Sequence, residues 1–142
     1  MKKVIVAYPE KCYSCLTCVV ECAYEKGDFA YETPLSAETL GEARLDIVGV
    51  RHLAVPVVCQ HCEDAPCEVA CPSGAIHRKE AGGPVLLDQE KCIGCRACIL
   101  ACPFGMAWMN FSNKVAQKCD LCINRTEKGL LPVCVSSCPV NA

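Results

Sequence analysis

The sequence "KCIGCRACILACPFG", residues 91–105, places four cysteines on one short segment. They stand at positions 92, 95, 98 and 102, and Pro103 follows the last of them. Three thiols at intervals of three residues, with a fourth four residues further on, cannot all pair with one another as local disulfides. The pattern therefore predicts a metal-binding loop, and the wider last interval indicates a separate role for the fourth cysteine.

The same spacing recurs along the chain and accounts for all 16 cysteines of its 142 residues. Groups one and three read C-x2-C-x2-C-x3-C, group two reads C-x2-C-x4-C-x3-C, and group four reads C-x2-C-x11-C-x3-C. A proline follows the last cysteine of groups two, three and four, whereas Ala23 follows that of group one. An internal repeat that leaves no cysteine over indicates one chemistry at all four groups.

Composition favours metal over disulfides. With only three Phe, one Trp and four Tyr, the apolar core of so short a chain would be thin, so something else must stabilise it. The N-terminus lacks the apolar run of about 7–15 residues that a secretory signal needs, and no segment is long enough to span a membrane. We therefore expect a cytoplasmic protein, in which thiols stay reduced. The charge of −2 and the scattered basic residues argue against nucleic-acid binding.

Two metal chemistries compete. A structural zinc site takes two C-x2-C pairs separated by a dozen or more residues, which only group four resembles. The run C-x2-C-x2-C-x3-C-P is instead the bacterial ferredoxin pattern, in which three cysteines hold one [4Fe–4S] cluster and the fourth ligates its neighbour. Four groups that exchange their fourth cysteines predict four [4Fe–4S] clusters with closed ligand sets.

The pairing of groups follows from the segment between groups two and three. A strand at 75–78, a turn at Gly82–Gly83 and a strand at 84–88 predict the hairpin of a two-cluster ferredoxin. Groups two and three then exchange ligands, as do groups one and four; sequential pairing, one with two and three with four, is the alternative. The predicted ligand sets are set one (Cys12, Cys15, Cys18, Cys138), set two (Cys59, Cys62, Cys67, Cys102), set three (Cys92, Cys95, Cys98, Cys71) and set four (Cys119, Cys122, Cys134, Cys22).

The segments "VPVVCQHCEDAPCEVACPSGAI", "DQEKCIGCRACILACPFG" and "KCDLCINR" resemble the four-cluster electron-transfer subunits of the dimethyl-sulfoxide-reductase beta-subunit type. That family includes the small iron–sulfur subunits of formate dehydrogenases, formate hydrogenlyase, carbon monoxide dehydrogenase and tungsten aldehyde oxidoreductases. The resemblance covers the whole chain, although such relatives continue beyond "CPVNA", so contacts made by a C-terminal extension are not carried over. In some relatives a tryptophan replaces a group-three cysteine, but Cys95 is present here.

The expected fold is α+β, with nested two-cluster ferredoxin-like units made of small strands and short helices. The inner unit would be residues 59–102, and the outer unit residues 1–58 plus 103–142. Further strands are expected at 2–8 and 43–50.

His61, between two ligands, could donate a hydrogen bond to a sulfide or simply pack, and we favour packing. Lys118 is one of several basic residues beside the groups that could offset cluster charge or be plain surface charge.

The expected function is non-catalytic relay of single electrons, because no catalytic triad, phosphate loop or nucleotide fingerprint is present. The resemblance implies a catalytic oxidoreductase partner: a molybdenum or tungsten enzyme, a carbon monoxide dehydrogenase or a hydrogenase. A flavin subunit or a ferredoxin would be a second partner, in anaerobic metabolism. The alternatives are a free-standing soluble polyferredoxin carrier and, more remotely, a zinc- or copper-thiolate protein.

Overall fold

The computed structural model describes residues 4–27, 41–110 and 113–142, which include all sixteen cysteines. A 3-10 turn at Pro9–Lys11 precedes group one. The helices are α1 Thr17–Lys26, α2 Pro66–Val69, α3 Ala97–Ala101, α4 Ile123–Thr126 and α5 Val133–Ser136; the strands are β1 Leu45–Val50, β2 Leu53–Val58, β3 Ile76–Arg78, β4 Val85–Leu87, β5 Ala107–Met109 and β6 Ala116–Lys118. The expected mixture of small strands and short helices is confirmed.

The described strands form three separate antiparallel hairpins: β1 with β2, β3 with β4, and β5 with β6. The register pairs Leu45 with Val58 in the first hairpin and Ile76 with Leu87 in the second. In the third hairpin Trp108 pairs with Gln117. Strands of three residues cannot stabilise a sheet on their own, so these hairpins depend on what packs against them.

The chain divides into two compact units. The central unit, named for its position in the sequence, contains Cys59–Leu121 together with residues 4–5. The terminal unit contains the described parts of Val6–Val58 together with Cys122–Ala142. The described residues of 103–121, which we expected in the outer unit, cluster with the central unit, because β6 packs against β4 and β5 packs against α3. The division into two-cluster ferredoxin-like units stays a prediction.

The core of the central unit combines small residues and cysteines with a few larger aliphatic side chains. Its buried members are Ala65, Ile76, Val85, Cys98, Ala107 and Ala116, and the partly buried residues packed on them include Cys62, Cys67, Cys71, Cys92 and Cys102. Because small side chains bury little apolar area, this core contributes less stabilisation than one built from large side chains. The cysteines are thus part of the core as well as candidate ligands.

In the terminal unit, α1 packs against α5 and against β1. Glu25 of α1 and Arg125 of α4 form an ion pair, with 3.7 Å between Oε2 and Nη1. These contacts bring the end of the chain back to the loop of group one, which is where the exchange of Cys22 and Cys138 would need it.

Two expectations about strands need correction. The strand expected at 2–8 is absent from residues 4–8, because that segment has no hairpin partner in the described chain; residues 2–3 lie outside the described residues. The strand expected at 43–50 begins at Leu45, and its partner β2 was not predicted.

Candidate iron–sulfur sites

Each cysteine group consists of a loop followed by a short helix. Cys18 lies in the first turn of α1, Cys67 in α2, Cys98 in α3 and Cys134 in α5. The fourth cysteine of each group lies later in the same helix or just beyond it, as Cys102 does at the end of α3. The helix therefore separates the fourth thiol from the first three, which is the separation that ligand exchange requires.

The four loops share one backbone feature. The residue immediately before the second cysteine has a positive φ in every group: Ser14 at 60°, His61 at 44°, Gly94 at 69° and Leu121 at 58°. Left-handed residues in loops can turn neighbouring N–H groups toward one side, as in the backbone concavities that bind anions. Three of the four residues are not glycine, so the conformation is stabilised by the loop rather than by intrinsic preference.

All four cysteines of set two line one cavity in the central unit. Burial raises the pKa of the Cys67 thiol, and the neighbouring thiolates of Cys59 and Cys102 raise it further, against the opposing effect of Lys118. Cys102 thus lies beside two cysteines of group two, although it closes group three in the sequence.

His61 lies in the wall of the same cavity and is 3% exposed. Its Nδ1 accepts a hydrogen bond from the Val85 N–H at 3.1 Å, which places the ring proton on Nε2. That Nε2 is buried and has no hydrogen-bond partner among the described residues. Burial and then Lys118 lower the pKa of His61 to about 4, so the ring is neutral at pH 7.

Lys118 is also buried in the cavity wall, at 3% exposure. Its Nζ donates hydrogen bonds to the carbonyl of Val85 and, at 2.8 Å, to that of Cys119. Buried lysines are rare because an ammonium loses its hydration there. An anionic cluster bound by set two would supply the compensating charge, so the residues of this cavity fit such a group.

The cysteines of set three also lie together in the central unit. Burial raises the pKa of the Cys98 thiol, followed by the neighbouring thiolates of Cys92, Cys95 and Cys71. At Cys71 burial opposes ionisation, but N–H donors from Ile76 and Ala75 and the Ser73 hydroxyl leave its pKa lowered.

In the terminal unit, the three other members of set one lie near Cys18. Burial raises the pKa of the Cys18 thiol, and the thiolates of Cys15, Cys12 and Cys138 add to that effect. Burial likewise raises the pKa of Cys134 to about 12, with contributions from Cys122, Cys22 and Cys18. Cys119, the remaining member of set four, belongs to the central unit. The assignments of all four ligand sets stay predictions.

Backbone N–H groups already point at several of these sulfur atoms. Cys102 Sγ accepts from Met106 N–H and Cys138 Sγ from Ala142 N–H, both at 3.3 Å and both four residues further along. Cys92 Sγ accepts from Ala116 N–H at 3.4 Å, and Cys22 Sγ accepts from Arg44 N–H at 3.3 Å. N–H donors to sulfur stabilise the thiolate form that an iron ligand must adopt.

Among the described residues, no three His, Cys, Asp or Glu side chains are grouped as a single metal ion would need. A [4Fe–4S] cluster has no such need, because each thiolate binds a different iron atom. No helix in the described parts of the chain is sufficiently long and apolar to pass through a membrane.

Residues 50–142 match the family described as 4Fe-4S dicluster domain. Electron transport protein HydN of Escherichia coli is 36% identical over 157 residues, which cover all of this chain and 86% of the relative. The matching component of the anaerobic dimethyl sulfoxide reductase of Escherichia coli is 39% identical over 139 residues, covering 93% of this chain and 67% of the relative. A tetrathionate reductase component of Salmonella typhimurium is 35% identical over 133 residues, 90% of this chain but only 51% of the relative.

Proposed function

The chain belongs to the 4Fe-4S dicluster domain family, and on that premise we propose that it relays single electrons between a catalytic oxidoreductase subunit and an electron acceptor or donor. Membership in this family confirms the resemblance inferred from the cysteine segments, together with the iron–sulfur and electron-transport character it implied. A bound [4Fe–4S] cluster supplies one-electron redox chemistry, while the protein provides ligands, spacing and electrostatics.

The observation that carries the proposal is the cavity lined by Cys59, Cys62, Cys67 and Cys102. Three of these residues come from group two and one comes from group three, as a two-cluster ferredoxin unit requires. The grouping of Cys98 with Cys92, Cys95 and Cys71 supports the reciprocal half of the exchange. Sets two and three then form one two-cluster unit within the central unit.

We further propose that the chain holds four clusters rather than the two that the family description names. The match at residues 50–142 leaves out group one, whose four cysteines have the same spacing as group three. The proximity of Cys18 to Cys15, Cys12 and Cys138 supports a site there as well. Sets one and four would then form a second exchanging pair.

Exposed aliphatic side chains support a role as a subunit rather than a free carrier. Val69 of α2 is 86% exposed and Leu100 of the neighbouring α3 is 89% exposed, beside candidate sets two and three. Exposed apolar surface next to a redox centre suits contact with a partner protein. By analogy with the reductase components it resembles, the proposed partner is the catalytic subunit of an oxidoreductase, of the molybdenum, tungsten, carbon monoxide dehydrogenase or hydrogenase type.

Iron counting on anaerobically purified protein tests the number of clusters. We expect about 16 iron and about 16 acid-labile sulfide per chain, since each cluster holds four of each. A value near 8 would limit the chain to two clusters. A colourless preparation that contains zinc or copper would overturn the iron–sulfur assignment altogether.

A further inference from the structure

Two buried polar side chains converge on the cavity of set two, and both are held by the same residue. The N–H of Val85 donates to Nδ1 of His61, and the carbonyl of Val85 accepts from Nζ of Lys118. Val85 is 1% exposed and belongs to β4, which packs against the strand that carries Lys118. The backbone of one buried residue therefore positions both side chains at the cavity wall.

Each of the two side chains retains a donor that its protein contacts do not use. Two hydrogen bonds account for two of the three N–H groups of the Lys118 ammonium, and Nε2–H of His61 has no partner among the described residues. Both side chains line the same cavity as Cys59, Cys62, Cys67 and Cys102. A buried donor without a partner is unfavourable unless something in the site accepts from it.

We propose that Lys118 and His61 raise the reduction potential of the cluster bound by set two, so that this cluster is reduced at a higher potential than its ligands alone would allow. The inference rests on the proposed function and deepens it. One-electron reduction of a four-thiolate [4Fe–4S] cluster takes its charge from about −2 to about −3. A buried cation and an N–H donor stabilise the more negative state, so reduction becomes more favourable.

The test is a redox titration of the full-length protein followed by electron paramagnetic resonance, with dithionite as the electron source. The signal that disappears in Cys59→Ala identifies the cluster of set two. In Lys118→Gln we expect the equilibrium constant for one-electron reduction of that cluster to fall about tenfold. This fall lowers its reduction potential by about 59 mV. His61→Leu should lower it in the same direction by a smaller factor.

Lys91→Gln is the matched control. Lys91 also precedes a candidate ligand, Cys92, but its side chain is 63% exposed and pairs with Asp88 at 3.2 Å. Water and salt screen such a charge, so this variant should leave the potential of the set-two cluster unchanged. Lys118→Arg keeps the charge and should restore the wild-type value.

An unchanged potential in Lys118→Gln with full iron content, or an equal shift in Lys91→Gln, would overturn the inference. If Lys118→Gln loses the set-two iron, Lys118→Arg decides between the two roles. Retained iron with the wild-type potential in Lys118→Arg supports the inference. Loss of iron in both variants would mean that Lys118 is needed only for the structure of the site. If the wild-type protein itself has no set-two signal, the proposed function fails. A normal signal without a shift refutes this inference alone.

Discussion

Cys102 closes group three in the sequence but lines the cavity of set two with Cys59, Cys62 and Cys67. Cys71 closes group two and lies beside Cys98, Cys92 and Cys95. Each of these residues would tie one loop to the cluster of the other, so the two sites would be linked through their ligands. Replacing either residue should therefore affect a site remote from its own group in the sequence.

Paired cysteine variants can test this exchange without assignment of any spectrum. Cys67→Ala and Cys102→Ala should each damage one cluster, and the double variant should damage no further cluster because both remove ligands of the same site. Cys98→Ala combined with Cys102→Ala should damage two clusters. Iron content and the summed paramagnetic signal of the reduced protein measure the outcome.

The opposite pattern would refute the exchange. If Cys98→Ala and Cys102→Ala together lose no more iron than either one alone, the four cysteines of group three form a single site. Additive loss from Cys67→Ala and Cys102→Ala would point to the same conclusion.

Sequence reasoning at the residue level could name every cysteine, because the spacing alone implies the chemistry. It could not decide the role of His61, for which we favoured packing. The structure shows that Nδ1 is satisfied by Val85 whereas Nε2 has no partner among the described residues, and this difference depends on a strand 24 residues away. Likewise, nothing local to Lys118 indicates that its side chain is buried.

Among the structural elements, the hairpin of β3 and β4 was predictable because a Gly82–Gly83 turn separates two short segments that each fit a strand. Strand β2 was missed because Pro56 lies inside it, and proline argues against a central strand. In a two-stranded hairpin both strands are edges, so Pro56 is tolerated opposite Ile47.

The hairpin of β5 and β6 has no glycine in its turn. Instead, the Asn110 N–H donates to the Val115 carbonyl at 2.9 Å, and Asn110 Oδ1 accepts from the Asn113 N–H at 3.2 Å.

The loop of group three approaches the segment before β6 so closely that only glycine fits at position 94. Gly94 has a φ of +69°, and a Cβ there would lie 2.6 Å from the Lys114 carbonyl oxygen. Gly94→Ala should displace this segment, disturb the hydrogen bond from Ala116 N–H to Cys92 Sγ and lower the iron content of set three. We expect a loss of stability of about 3 kcal/mol or more, because a steric clash adds to the unfavourable φ.

Gly74→Ala is the control for this prediction. Gly74 also has a positive φ, +64°, but a Cβ there would meet nothing within 4 Å. Only the backbone penalty of about 1–2 kcal/mol should remain, with iron content unchanged. Thermal unfolding and iron analysis of the two variants separate the clash from the effect of φ, and equal behaviour would contradict the steric argument.

For the whole molecule, the mixture of small strands and short helices and the family could be predicted from the sequence, whereas the contacts that join β5 and β6 to the central unit could not. We drew the boundary at residue 102, the last cysteine of group three. The structure instead keeps β5 and β6 with Cys59–Leu121, because Ala107 and Ala116 complete the core of that unit. Burial of small residues against cysteines leaves no periodic signal that a single sequence could reveal.

Association with a catalytic subunit is testable by anaerobic purification of this protein, without an affinity tag, from the native host. We expect the chain to co-elute with a larger oxidoreductase subunit. Val69→Glu together with Leu100→Glu should weaken that association without loss of iron, because both side chains are exposed and contribute little to the core. Lys79→Glu, at another exposed position of the central unit, serves as the control. Elution of the wild-type chain alone as a monomer would favour the free carrier.

The core of the central unit, in which cysteines pack among alanines, would link the abundance of this protein to the iron supply of the cell if the proposed clusters are bound. Without clusters the thiols would leave unfilled space at the centre of a unit with few large side chains to close around it. A chain made during iron starvation should therefore stay open to proteases and be degraded rather than persist as an inactive pool. Its steady-state level would then depend on the rate at which clusters are delivered, even at constant transcription.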